Sequence, residues 1–256
     1  MQPESLASAH PLETPSRLTT LSRRSLKEAA VEQIRAAVTQ GELTAGQRIT
    51  ELGLAKRLGV GQATIREALI ELEHQGFIQR SAVRKTFVTS LGRRQIDEIY
   101  VIRKRLETLA VELLIAAKVT RLVDAERECE KMVEFARYGD VARFGEADLD
   151  FHRALWRATG NQKFAEVLEP LVPKVFALGF IQHVHPSPEH LLQLAERHRQ
   201  LLQVILAGEE EPAKALMEAA MEQAWAEDSS VAEGAERRQA ENGMTLQHAA
   251  PRDRQG

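Results

Sequence analysis

One aspartate and two histidines sit where a helix should be apolar. Between Val141 and Thr159, Phe144, Phe151 and Leu155 share a helical face, and at about 100° per residue Asp148 and His152 fall on that same face. Asp150 falls on the opposite, solvent-facing side. Farther on, Leu191, Leu194, Ala195, Leu201, Leu202 and Ile205 form an apolar stripe with His198 in its middle. A carboxylate or imidazole buried without a partner is costly, so three such residues need one another, a ligand or a metal. An Asp/His pair at i, i+4 offers two ligand atoms on one face, and this donor set suits a divalent ion such as zinc, nickel or manganese. Hydrogen-bonded core histidines are the competing reading, and the residues leave both open.

Other chemistry has few candidates. The chain has no phosphate-cradling glycine loop, no nucleophile elbow and no paired catalytic carboxylates. Trp156, Trp225, Met217 and Met221 read as core, and runs such as Arg103-Lys104-Arg105 and Glu209-Glu210-Glu211 as solvated faces. A metal-dependent, all-α hydrolase with a DNA-binding appendage is the alternative function, but a phosphohydrolase of the His-Asp type would carry an adjacent His-Asp doublet, which is absent. The single Cys129 excludes a disulfide framework and fits a reducing cytoplasm. No apolar run has the length of a signal peptide core or a membrane span.

The elements that must position these residues divide the chain. Leu54 to Gly76 holds two short apolar-periodic segments around Gly59-Val60-Gly61, a helix-turn-helix pattern. In the second segment Ile65, Ala68, Leu69 and Leu72 face inward, so Gln62, Ala63, Arg66, Glu67 and Ile70 face outward. Phe77 to Arg80 and Thr86 to Val88 read as a hairpin across the turn Ser81 to Lys85. This hairpin makes the unit a winged helix, with Arg84 and Lys85 at a tip that could reach phosphates or a minor groove.

Upstream, Ser25 and Glu28 read as a capping box for a first helix that buries Ala29, Ile34, Ala37 and Val38 and ends at Gly41. Thr50 caps the second helix. After the linker Ser90 to Arg94, no strand signal recurs: helices follow at about Gln95–Lys118, Thr120–Tyr138 and Asp140–Thr159, then one that Pro170 and Pro173 kink and two that open near Pro188 and Pro212. The expected architecture is mainly α: a winged helix-turn-helix at 22–91, then an all-α bundle of six to seven helices at 95–228. Residues 1–21 and 229–256 are poor in bulky apolar side chains and read as disordered tails.

Charge is divided the same way. Although the net charge is −3, Ser16 to Arg94 holds 14 Lys and Arg against 7 Asp and Glu, and Gln95 to Asp228 holds 16 against 24, giving +7 and −8. That asymmetry points to a polyanion partner for the first domain only.

Gly46-Gln47-Arg48-Ile49, Glu51-Leu52, Leu54-Ala55, Leu58-Gly59-Val60, Arg66-Glu67-Ala68-Leu69, Leu72-Glu73, Gly76 and Phe87-Val88 resemble the N-terminal domain of GntR-family bacterial transcription regulators. Arg103 with Leu106-Glu107, Asp148 with Phe151-His152-Arg153-Ala154, Gly160-Asn161, and Glu196 with His198-Arg199 resemble the FCD domain of the FadR-type subfamily, a helical effector-binding and dimerising unit. The resemblance implies a homodimer that binds a double-stranded operator under control of a small effector. It implies base contacts from Gln62, Ala63, Thr64 and Arg66, and backbone contacts from the wing. The family helix usually opens Ser-Arg-Thr-Pro, whereas this chain has Gly61-Gln62-Ala63-Thr64, and glutamine prefers adenine edges where arginine prefers guanine. In the helical domain the resemblance makes Asp148, His152 and His198 metal and effector ligands. It puts a fourth ligand at Ala220, which cannot coordinate; three ligands, recruitment of Glu218, His183 or His185, and a metal-free pocket stay open. Arg103 would hold an effector carboxylate through its planar fork, its other reading being a surface arginine.

Overall fold

The computed structural model describes residues 23–81, 85–182 and 186–248. The first domain begins with α1 (Arg23–Thr39), which presents Ala30, Val31, Ile34 and Val38 to the interior. The helix starts two residues before Ser25, so the Ser25–Glu28 pair is not its capping box, and Ala29 is exposed while Ala30 is buried. Helix α2 (Glu51–Leu58) is capped by Thr50, whose hydroxyl accepts from the Gly53 amide at 3.2 Å, and ends at Gly59 with φ 67°. Helix α3 (Gln62–His74) follows after Gly61, with Ile65, Ala68, Leu69 and Leu72 fully buried.

The wing is β2 (Ile78–Arg80) paired antiparallel with β3 (Thr86–Val88), and a two-residue β1 (Arg48–Ile49) adds to the other edge of β3. Arg48 stands opposite Phe87 and Arg80 opposite Thr86. So short a strand has no periodicity to read, and β1 escaped the hairpin pattern for that reason.

The second domain contains seven helices among the described residues: α4 (Arg93–Ala116), α5 (Val123–Tyr138), α6 (Val141–Ala158), α7 (Lys163–Leu168), α8 (Val172–Ile181), α9 (Pro188–Ala207) and α10 (Glu210–His248). Pro170 separates α7 from α8 where the sequence suggested one kinked helix, and Pro173 lies in the first turn of α8, where a missing N–H costs nothing. Its neighbour α9 opens on Ser187 and Pro188 and closes at Gly208, φ 75°. Among the described residues, no helix is long and apolar enough to cross a membrane.

Two features depart from the sequence reading. Helix α10 runs unbroken through Ser229 to His248, so 229–248 is no tail; residues 249–256, like 1–22, lie outside the described residues. Its buried contacts there are the small residues Ser229, Ala232 and Ala235, and Glu233 and Glu236 bind the start of α4 through the side chain and amide of Arg93. Composition reports lack of bulk, but small residues also let two helices approach closely. Trp225, expected in the core, is 36% exposed and donates to Asp97 Oδ1 at 2.7 Å beneath the Arg93 guanidinium.

The domains share packing through α8. Ala177 and Ile181 enter the core formed by α1, α3 and the wing, while Val175 and Leu178 belong to a core of the helical domain. Gly76, just past α3, has φ 82° and touches the Pro173 carbonyl so closely that a Cβ would lie 2.0 Å from its oxygen. Arg35 on α1 pairs with Glu146 on α6.

Candidate DNA-reading surface and effector cavity

On the first domain, Gln62, Ala63 and Arg66 are exposed at the start of α3 and Thr64 is half-buried beside them. Arg66 is held by Glu51 on α2 in a bidentate pair, Nε to Oε1 at 3.1 Å and Nη2 to Oε2 at 2.8 Å. That hydrogen bonding holds the Glu51 carboxyl below its ordinary range. Lys85 is exposed at the wing, its amide bonded to Ser81 Oγ at 3.2 Å; Arg84 lies outside the described residues. Arg80, on β2, pairs with Glu73 at 3.1 Å.

Asp148, His152 and His198 do come together: each can offer one ligand atom, all within 4.8 Å of one another. Asp148 Oδ1 stands 3.0 Å from His198 Nε2 and 3.7 Å from His152 Nε2. The other nitrogen of each ring is fixed. His198 Nδ1 lies 2.8 Å from the Leu194 carbonyl, which can only accept, so Nδ1 carries the proton. His152 Nδ1 faces the Glu107 carboxylate at 3.1 Å, and its Nε2 lies 3.4 Å from Arg103 Nη2, which can only donate. Both rings thus turn Nε2 toward Asp148. Burial works against ionising Asp148, but His198, His152 and Arg103 hold its pKa below the ordinary value, and Asp148 raises that of His198 against desolvation. Despite the short distance, Asp148 Oδ1 is buried without a well-formed hydrogen bond.

Arg103 is not on the surface. It is 3% exposed, stacked on Phe176 at 4.8 Å, and donates to Glu107 at 3.4 Å and to Tyr100 Oη at 3.2 Å. Glu107 carries part of the sequence resemblance but is not among the expected site residues. It is fully buried and accepts from Trp156 Nε1 at 2.9 Å as well as facing His152; burial opposes its ionisation, but His152, Arg103 and Trp156 prevail and bring its pKa to about 2. Tyr100, Arg103, Glu107, Ala110 and Leu114 recur at helical spacing and are all buried, and that stripe was the available signal.

Tyr100, Arg103, Asp148, His152 and His198 line a cavity of about 1000 Å³ bounded by α4, α6, α8, α9 and α10. Much of the wall is apolar, including Phe144, Phe176, Leu201, Met217 and Met221. Ala220 also faces this space, whereas Glu218 does not line it; His183 and His185 are outside the described residues.

The structure thus joins a winged helix-turn-helix to a helical bundle with polar residues on the wall of a cavity. Residues 26–88 match the bacterial regulatory proteins of the gntR family and residues 98–223 match the FCD domain, so the chain belongs to the GntR family of transcription regulators, in its FCD-bearing branch. The uncharacterized regulator YdhC of Bacillus subtilis (strain 168) is 29% identical, over 71% of this chain and 81% of that protein. A probable D-xylose utilization operon transcriptional repressor from Paenarthrobacter nicotinovorans is 28% identical, over 75% and 86%. The gluconate operon transcriptional repressor of Bacillus subtilis (strain 168) is 25% identical, over 72% and 77%. Among solved structures, E. coli McbR/YncC shares the fold with TM-score 0.61 at 23% identity, covering 80% of this chain and 97% of that one. These similarities are to regulators and set the hydrolase alternative aside.

Proposed function

We propose that this regulator binds its operator as a homodimer and that a small carboxylate in the α-helical cavity changes that binding. Helix α8 carries the reading: Val175, Phe176 and Gly179 line the cavity, while Ala177 and Ile181 on the same helix sit in the core behind the reading helix. A ligand that shifts α8 must also shift what packs on it, and differential binding to two placements is all that coupling requires. The relative named for the gluconate operon is consistent with a carboxylate effector. Exposed Val101, Ile102 and Leu109 on α4 offer apolar area for a second copy.

The donor set fits a divalent ion. Two imidazoles with protonated Nδ1 present Nε2 to the same buried oxygen, and Glu107 and the Leu194 carbonyl hold the rings as partners of metal-bound histidines do. Asp148, His152 and His198 would hold it, and it would supply positive charge for an effector carboxylate that Arg103 also holds. In the first domain Gln62, Ala63, Thr64 and Arg66 would read bases, and Arg84 and Lys85 would contact the backbone. The test is operator affinity measured with zinc, nickel or manganese and a panel of small carboxylic acids. A change of several-fold with at least one acid is expected in the wild type and not in His198→Ala; a wild type insensitive to every acid with metal present refutes the effector reading while leaving DNA binding intact.

A further inference from the structure

The cavity wall carries a further acidic group, linked to the three candidate ligands through Arg103 and Tyr100. Tyr100 on α4 and Asp228 on α10 both line it, and Tyr100 Oη lies 2.6 Å from Asp228 Oδ2. Because Arg103 Nη1 donates to the same phenol oxygen at 3.2 Å, Tyr100 spends its own proton on Asp228. That is the one hydrogen bond Asp228 makes among the described residues, and no Lys, Arg or His pairs with it there. Glu107, behind the same wall, is better provided for, meeting Arg103, His152 and Trp156.

A carboxyl facing a largely apolar cavity with one donor is a poor arrangement unless something else arrives. A second carboxylate at this position would be repelled, and a hydrocarbon would leave the acid dry. Burial pushes the Asp228 carboxyl up to about 7, outweighing the Tyr100 hydrogen bond and the Arg103 charge that act the other way.

We infer that Asp228, braced by Tyr100, is a second polar subsite of the cavity and takes a hydrogen-donating head group of the effector, a hydroxyl or an ammonium. This rests on the cavity being the carboxylate-effector site. The effector class that follows is a small acid whose carboxylate meets Arg103 and the triad, whose hydroxyl or amino group reaches Asp228 beside the Arg103–Tyr100 pair, and whose carbons rest on apolar wall such as Phe144, Leu201 and Met217.

The test uses the full chain with zinc present and straight-chain acids from butanoate to octanoate, each with its terminal hydroxy and terminal amino counterpart, followed by calorimetry. At least one substituted acid should bind about 10- to 100-fold more tightly than its parent, the worth of a buried, charge-assisted hydrogen bond. An ammonium preference should vanish in both Asp228→Asn and Asp228→Ala. A hydroxyl preference should vanish in Asp228→Ala and persist in part in Asp228→Asn, whose amide oxygen still accepts. Tyr100→Phe should weaken the preference by loosening the brace. The parent acids, bound as well by each variant as by the wild type, report an intact fold. Parents and counterparts binding equally, or a preference that survives in Asp228→Ala, overturns the subsite and leaves the effector reading standing; failure of every acid to bind overturns both.

Discussion

Arg153 reaches across the domain boundary: its Nη2 donates to the backbone carbonyl of His74, the last residue of α3, at 2.9 Å. Its chain neighbour is His152, so adjacent residues of α6 address the cavity and the reading helix. Glu169 and Asp150 hold the guanidinium in place at 2.8 and 3.1 Å. Arg153→Ala should therefore leave metal content intact and reduce the change in operator affinity that effector produces. Allosteric couplings of this kind are typically about 1–3 kcal/mol, and loss of a sizeable part is expected. Equal effector response in variant and wild type, by fluorescence anisotropy on operator DNA, would remove Arg153 from the coupling.

Gly76→Ala probes the same boundary sterically. The new methyl meets the Pro173 carbonyl at 2.0 Å, and φ 82° disfavours any side chain. The left-handed conformation alone costs about 1–2 kcal/mol, and relieving the overlap requires the domains to part. A lower melting temperature and faster proteolysis at the boundary are expected; an unchanged melting curve would contradict the close approach.

On DNA, Arg66 and Lys85 should behave differently. Arg66→Ala should cost about 1–3 kcal/mol on the specific operator and little on random sequence, whereas Lys85→Ala should weaken both and flatten the salt dependence. Glu51 adds a refinement. In the free protein it clamps Arg66, so Glu51→Gln should raise affinity for all DNA by removing a competing anion. Operator binding unaffected by Arg66→Ala would refute its role.

Ala220→His adds an imidazole on a wall that already faces the cavity, and should raise affinity for zinc or nickel. His152→Ala should lose bound metal and, with it, the stabilisation that metal confers by mass action. Metal analysis and thermal shift on the two variants decide this. If neither wild type nor Ala220→His takes up an ion, the triad is a hydrogen-bonded polar core.

Stability should carry the mark of Asp228. Its pKa rises from 3.8 to about 7 on folding, so over that interval the folded chain keeps a proton that the unfolded chain releases. The sign follows: this group's contribution is favourable at low pH and is lost as pH rises toward 7, by an amount on the order of a few kcal/mol. Asp228→Asn, which keeps an acceptor for Tyr100, should be more stable than the wild type near pH 8 and lose that advantage near pH 4. Parallel melting-temperature profiles for the two proteins would show that Asp228 ionises freely in the fold.

Periodicity made much of this architecture legible, because a helix face is a repeat that local sequence records. It exposed Asp148, His152 and His198 as polar residues on apolar stripes, and their meeting point follows once α6 and α9 face each other. It exposed neither the Glu107 partner nor the Tyr100–Asp228 pair. Arg103 and Glu107 at i, i+4 also have the spacing of an exposed salt bridge; the stripe they share with Tyr100, Ala110 and Leu114 hints at burial, and the tertiary packing decides it. Asp228 lies 128 residues from Tyr100, a separation local pattern cannot bridge. The far half of α10 was missed because alanine and serine add little hydrophobicity, although Ala232 is fully buried.

That far half of α10 bears on the operator itself. Leu91 is buried, the Arg93 amide is tied to Glu236 Oε1 at 3.0 Å, and Thr89 Oγ1 donates to the Gly76 carbonyl at 2.6 Å, so the segment between the domains is anchored on both sides rather than slack. In the proposed homodimer, two heads held this way would not swing independently to find their sites. Each base pair inserted between half-sites moves one of them by about 3.4 Å along the duplex and about 35° around it. A stiffly mounted pair of heads should accept one spacing and reject its neighbours, and α10 beyond Asp228 would then count as part of the ruler.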